Sequence, residues 1–258
     1  MISKLAAIAV VAGVAIPSAY ADAFVQEKGA GRVIVTAVLT NSPRGFDGNG
    51  NVADIDNYNQ DQVYVNAEYG LTDDLTLIVA PSYRHIAVEN AENTTGLGYT
   101  EVGARYRLAK GSNWIVSAQG LVRVRGQGRS QRVAQLGNNS TDFDARLAGA
   151  YSGATTFVSA EAGYRLRSGD LPNEFHADLN AGAHLGEKFM VLASSTNTFS
   201  DGRGQGVFNQ KYKYGDVYLS AVYDLNDHFS VQAGYTATIY GKNALRQRGP
   251  LFGIWYKF

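Results

Sequence analysis

The chain has 258 residues, with 23 basic and 23 acidic side chains, 29 glycines, 16 tyrosines and no cysteine. The balanced charge, with no basic block, argues against a nucleic-acid partner, and the missing cysteines exclude a disulfide framework or a thiolate metal site. The length fits one sizeable domain.

Residues 1–21 read as a secretory signal. Lys4 supplies a positive charge, residues 5–16 are apolar apart from Gly13, and Pro17 and Ser18 break the run. Ala19 and Ala21 place small side chains at the two recognition positions, so cleavage is expected after Ala21. The run is too short for a spanning helix, which needs about 20 residues. No later stretch is long and apolar enough for one, so a membrane-spanning mature chain, residues 22–258, has to be a barrel.

After the signal the hydrophobic period is two, not 3.6. Phe229, Val231, Ala233, Tyr235, Ala237 and Ile239 alternate with Ser230, Gln232, Gly234, Thr236 and Thr238. About 12 such segments occur, at 31–42, 62–70, 75–88, 98–108, 114–126, 142–152, 155–167, 175–185, 189–200, 212–224, 229–240 and 249–258. Most are close to the length of a tilted membrane strand, about 9–11 residues. Their connections alternate too. Residues 71–74, 109–113, 153–154, 186–188 and 225–228 are short, while 43–61, 89–97, 127–141, 168–174, 201–211 and 241–248 are long and polar. Short periplasmic turns and long external loops are the asymmetry of outer-membrane barrels. The expected fold is therefore all-β: a transmembrane antiparallel β-barrel of about 12 strands in the outer membrane of a Gram-negative bacterium.

Two features of the strand ends agree. Phe252, Ile254, Tyr256 and Phe258 alternate up to the last residue, and Tyr256 and Phe258 resemble the C-terminal signal read by the barrel-assembly machinery. Tyr69, Tyr106, Tyr151, Phe189, Tyr223, Phe229 and Tyr256 gather toward the short-turn side, where an interfacial aromatic girdle belongs.

If the apolar phase faces lipid, the other phase faces the lumen, and it is rich in charge. It holds Glu101, Arg105 and Arg107, then Arg123 and Arg125, then Asp142, Asp144 and Arg146, then Glu161, Arg165 and Arg167, then Asp178. Counting back from the turn at 153–154 sets Arg146 opposite Glu161 and Asp142 opposite Arg165, with Arg165 near Asp178. The expectation is a wall of cross-strand ion pairs, acting either as a hydrophilic lining or as a self-satisfied filling. The short stretch from Asp22 to Ala30 argues against a plug domain.

Enzyme and metal readings find little support. Of the four histidines, His85, His176, His184 and His228, only His184 comes near a hydroxyl nucleophile, Ser159 on the neighbouring strand, and no acid completes a triad. The run Asp47, Asn49, Asn51, Asp54, Asp56 is rich in oxygen ligands, but Val52 and Tyr58 occupy the glycine and glutamate positions of a calcium loop. Ordinary turn chemistry explains it better. No catalytic residue, metal or cofactor is expected.

The opening Val25-Gln26-Glu27-Lys28-Gly29-Ala30-Gly31-Arg32-Val33-Ile34-Val35-Thr36, with the later Glu68-Tyr69-Gly70-Leu71-Thr72-Asp73, resembles a family of outer-membrane channels associated with meta-pathway phenol degradation. Phe24 stands where that opening motif is expected to carry Trp. The resemblance implies a small barrel and passage of aromatic or apolar compounds. The expected function is passive or facilitated passage of small solutes, with outer-membrane lipid as the surrounding partner. The alternatives are a non-conducting structural or adhesive barrel acting through its external loops, and a membrane hydrolase. The sequence leaves the oligomeric state open.

Overall fold

A computed structural model describes residues 23–91, 93–126, 136, 140–206 and 209–258. The expected signal, residues 1–21, lies outside them. The period-two segments form strands β1 (Gly31–Phe46), β2 (Val52–Thr72), β3 (Leu75–Val88), β4 (Thr94–Lys110), β5 (Trp114–Val124), β6 (Asp142–Ser152), β7 (Thr156–Leu166), β8 (Asn173–His184), β9 (Phe189–Asp201), β10 (Lys213–Asp224), β11 (Phe229–Lys242), the two-residue β12 (Ala244–Leu245) and β13 (Arg248–Lys257).

Consecutive long strands pair antiparallel from β1 to β11, and β11 then pairs with β13. β1 also pairs with β13, from Arg32 opposite Lys257 to Asn41 opposite Arg248. The twelve long strands thereby close on themselves, and closure leaves no edge for another chain to extend. Short β12 pairs with the upper end of β1, Phe46 facing Ala244.

Alternation fixes the two faces. On β8, Phe175, Ala177, Leu179 and Ala181 are exposed, while Glu174, His176 and Asn180 are buried. The same phase continues round the barrel, so Leu39, Val63, Val79, Leu147, Leu219, Ile239 and Ile254 form a continuous exposed apolar belt. A belt of that extent is untenable in water and is the ordinary outer surface of a barrel in hydrocarbon. The seven expected girdle aromatics all point outward at the short-turn end. The rings of Phe229 and Tyr256 lie 5.0 Å apart, and those of Tyr256 and Phe258 5.6 Å apart. The molecule is thus an outer-membrane barrel, with lipid against its belt.

Three expectations change. The first external loop, expected over 43–61, is mostly strand: β1 runs on to Phe46 and β2 begins at Val52, making a hairpin taller than the rest. Its turn is closed by Asp47, whose carboxylate accepts the backbone N–H groups of Asn49 and Asn51, each at 2.8 Å. Those two donors favour the charged form and lower the Asp47 pKa. Asp47, Asn49 and Asn51 accordingly build the turn, while Asp54 and Asp56 lie on β2, Asp54 paired with Arg44 at 3.2 Å. β4 also begins earlier than expected, at Thr94. Third, the luminal phase is not uniformly polar. Ile34, Val38, Met190, Val222, Leu251 and Trp255 are buried inside the barrel. A barrel of this size closes tightly enough that inward side chains touch across it, and apolar ones fill that space without needing hydrogen-bond partners.

Candidate functional site: the barrel interior

The interior is built in levels. Starting from the short-turn end, the first is the chain's own N-terminal segment. Residues 23–28 turn into the barrel. Ala23 is fully buried, and with Phe24 and Val25 it packs against Ile115, Ala148, Ala150 and Phe157. The Phe24 and Phe157 rings meet edge to face at 6.4 Å. Polar anchors hold the backbone: Gln26 N–H donates to Thr76 Oγ1 at 2.8 Å, and the Phe24 carbonyl accepts from Arg105 Nη1 at 2.8 Å. Gly70 permits the approach, because a Cβ there would stand 2.0 Å from the Glu27 carbonyl oxygen. From the sequence this stretch counts only as too short for a plug domain; the structure places residues 23–27 inside that end of the barrel.

The second level is a carboxylate between two guanidiniums. Glu68 bonds Arg32 at 2.9 Å and Arg105 at 3.2 Å, and accepts from Gln26 Nε2 at 2.9 Å. Arg105 also donates to Gln119 Oε1 at 3.0 Å. Arg105 thus sits apart from the wall of β4–β8, tied to the N-terminal segment.

The third level is a lattice of ion pairs on β4–β8. Glu101 meets Arg123 at 2.8 Å, and Arg123 reaches Asp142 at 3.5 Å. Asp142 also faces Arg167 at 3.3 Å, and Arg167 bonds Glu174 at 2.7 Å. Glu174 bonds Arg165 at 2.9 Å, and Arg165 bonds Asp144 at 2.7 Å. Asp144 bonds Arg146 at 2.9 Å, and Arg146 reaches Glu161 at 2.6 Å and Asp178 at 3.8 Å. Each charge has at least one opposite neighbour, which is the condition under which charges persist away from water.

The register corrects the pairing expected from the turn. Asp144, not Asp142, stands opposite Arg165, and Gly163, not Glu161, stands opposite Arg146. The β6–β7 turn takes in two more residues on the β7 side, since Ser152 pairs with Phe157, so every partner moves by two positions and face is conserved. Arg146 therefore reaches Glu161 along a diagonal. Likewise Glu174 stands opposite Arg165, and Asp178 opposite Glu161. With Arg105, two more expected members fall outside the lattice. Arg107 pairs with Asp74 at the short-turn rim, and Arg125 is exposed beyond the end of β5.

Glu174, the lattice hub, was assigned to a loop because the alternation was read as starting at Phe175. Glu68 and Arg32 were visible as polar residues between apolar ones, but nothing local links strands 36 residues apart in sequence, Arg32 opposite Glu68. The pairing of Ser159 with His184 is also corrected. Ser159 faces Asn180, whose amide reaches its hydroxyl at 3.4 Å, and His184 is exposed at the end of β8.

Above the lattice lie buried tyrosines. Tyr212 donates its hydroxyl to Glu174 and stacks near Tyr214 at 6.5 Å, and the Arg123 guanidinium lies 4.3 Å over the Tyr99 ring. The outermost level is an apolar collar of Ile55, Tyr58, Ile86, Val88, Leu245 and the loop residue Leu136. Away from the charged lattice the wall is different in kind: Val38, Tyr218 and Leu251 form one apolar cluster on β1, β10 and β13, and Ile34, Met190, Val222 and Trp255 form another toward the short-turn end. The lumen wall carries both charged and apolar stretches.

A family model described as "Putative MetA-pathway of phenol degradation" matches residues 39–258. The chain belongs to that family. The match begins after the opening stretch 25–36, so the lumen-filling segment lies outside the part the family model describes. Among solved structures, an outer membrane channel from Pseudomonas putida F1 superposes with a TM-score of 0.79 at 14% identity, over 92% of this chain and 98% of that one. The NanC porin gives 0.57 at 10% identity, over 86% and 100%. The translocator domain of the autotransporter NalP from Neisseria meningitidis gives 0.53 at 13% identity, over 90% of each chain. At such identities these likenesses concern the barrel fold. No curated protein sequence matches the chain.

Proposed function

We propose that this family member is a narrow, partly obstructed conduit carrying small amphipathic solutes, aromatic compounds among them, across the outer membrane. The observation that carries this is the make-up of the lumen wall. A water-filled porin presents a polar interior, whereas here ion-paired side chains line β4–β8 and the buried Val38, Tyr218 and Leu251 line β1, β10 and β13. A solute with a ring and a polar group finds a complementary stretch of wall for each. Family membership and the channel fold support the same reading. The hydrolase alternative has lost its one candidate pair, Ser159 and His184, and no catalytic role is assigned.

Planar-bilayer recording of the refolded mature chain tests the proposal. Small, discrete conductance steps are expected. Silence from a correctly folded barrel would overturn it and favour a structural barrel acting through the tall β1–β2 hairpin. Ion preference tests the lining role of the lattice. Arg123→Glu or Arg165→Glu replaces a luminal positive charge with a negative one, so the reversal potential in a salt gradient should move toward cation selectivity. An unchanged potential would count against the lattice as a lining.

Delivery is part of the proposal: residues 1–21 direct export, and Tyr256 with Phe258 engages the barrel-assembly machinery. Phe258 exchanges backbone hydrogen bonds with Gly31 at 2.8 and 3.0 Å, so the C-terminal residue itself closes the seam. Deleting Phe258 is expected to lower the amount of folded, heat-modifiable barrel in the outer membrane while leaving export intact. Normal levels would argue against the signal.

A further inference from the structure

Among the described residues, two buried charged side chains inside the barrel belong to neither ion-paired level: Asp216, which accepts from the Thr238 hydroxyl, and Arg84. Arg84 lies on the luminal face of β3 and is 7% exposed. Its Nε has no hydrogen-bond partner among the described residues. Its strongest electrostatic neighbours are the Arg123 guanidinium and the phenols of Tyr58, Tyr99 and Tyr214, with no carboxylate among them. Every other buried luminal arginine described above has a carboxylate within ion-pair distance. A buried charge left without a counter-charge is unfavourable, and a second cation nearby makes it more so.

The surroundings are shaped around this side chain. Gly96 stands opposite it in the β3–β4 ladder, and a Cβ on nearby Gly98 would stand 2.5 Å from Ser82 Oγ and 3.1 Å from Arg84 Nε. Ser82 is turned aside, donating to the Tyr99 carbonyl at 3.0 Å. Directly outward, Tyr58 and Ile86 belong to the apolar collar. Inward, Arg123 is already occupied by Glu101 and by the Tyr99 ring. An incoming solute therefore meets first an apolar rim, then aromatic rings, then an uncompensated guanidinium.

We infer that Arg84 and the tyrosines around it form a subsite for the carboxylate of a small aromatic acid. A guanidinium offers a carboxylate two parallel charge-assisted hydrogen bonds, and tyrosine rings accept a ring edge to face or offset. The anion supplies the counter-charge the fold withholds. The inference rests on the conduit reading for how a solute reaches Arg84, and it narrows the solute class from amphipathic compounds in general to anionic ones.

Calorimetric titration of the folded mature chain in detergent tests it, with benzoate as probe, benzyl alcohol as its neutral counterpart and inorganic phosphate as a non-aromatic anion. Saturable benzoate binding is expected, with benzyl alcohol and phosphate each weaker by about tenfold or more. Arg84→Gln should weaken benzoate by about the same factor, and Arg84→Lys by less. Heat-modifiable mobility reports whether each variant is folded, and if Arg84→Gln is not, Arg84→Lys and the two control ligands still decide the matter. Equal affinity for benzoate and benzyl alcohol, tighter binding of phosphate, or folded variants that bind benzoate like the parent would each overturn the subsite. Benzoate binding at Arg84 in a barrel that never conducts would uphold the subsite and remove the conduit. Solute passage indifferent to Arg84 would do the reverse.

Discussion

Deleting residues 23–28 is expected to raise single-channel conductance several-fold. The segment occupies the short-turn end of the lumen, where Ala23, Phe24 and Val25 pack on Ile115, Ala148, Ala150 and Phe157. Its removal leaves the seam intact, because pairing across β1 and β13 begins at Arg32. Gly70→Leu should give a similar result without shortening the chain. Its Cβ would meet the Glu27 carbonyl at 2.0 Å, a backbone atom that can move only if the segment does. The two variants should agree in direction. If both are folded and neither conducts better than the parent, the segment is not the barrier.

Glu174→Ala is expected to give the largest loss of stability of any single lattice change. Glu174 holds Arg165 at 2.9 Å and Arg167 at 2.7 Å and accepts the Tyr212 hydroxyl, with His176 Nε2 at 3.3 Å. Truncation takes one of two carboxylates from each of Arg165 and Arg167, which keep Asp144 and Asp142, and removes the acceptor of the Tyr212 hydroxyl. Removing one partner of a buried pair costs about 3–5 kcal/mol, and here two pairs share the partner. Urea unfolding in vesicles, followed by the gel shift, should show that loss. Arg107→Ala is the natural comparison: its partner Asp74 is half exposed at the rim, where an ion pair contributes only about 0–1 kcal/mol. Equal losses in the two variants would mean that the lattice does not act as a buried network.

The fold was legible because a barrel in lipid writes its constraint into every strand. One face of β8 must be Phe175, Ala177, Leu179 and Ala181, and a slip of one residue would put Glu174 and Asp178 into hydrocarbon. Face was therefore readable for Arg146 and Glu161, while register was not. Two residues more or fewer in the 153–155 turn preserve both faces, and only the closed ladder, Ser152 opposite Phe157, decides the partner. Long-range neighbours left still less trace. Glu68 with Arg32 and Arg105, or Phe24 beneath Phe157, are brought together by closure, and no spacing along the chain encodes it. Outside the membrane the constraint weakens, which is why the tall hairpin rising to Phe46 and Val52 was mistaken for a loop. Arg84 was passed over for a related reason. Within β3 it is one more polar residue in an alternating run, and its distinction is the carboxylate it lacks.

The seam has a bearing on the order of events during assembly. β1 must find β13 across nearly the entire chain, Arg32 against Lys257, and contacts between the most distant residues form latest because closing the longest loop has the greatest entropic cost. The N-terminal segment is continuous with β1 and is anchored to β2 and β4 through Glu68, Gly70 and Arg105. It is therefore caught inside at the moment the ring shuts, and the nascent barrel need never pass through a closed but leaking stage. The same motion that completes the wall of this barrel thus encloses residues 23–28 within it.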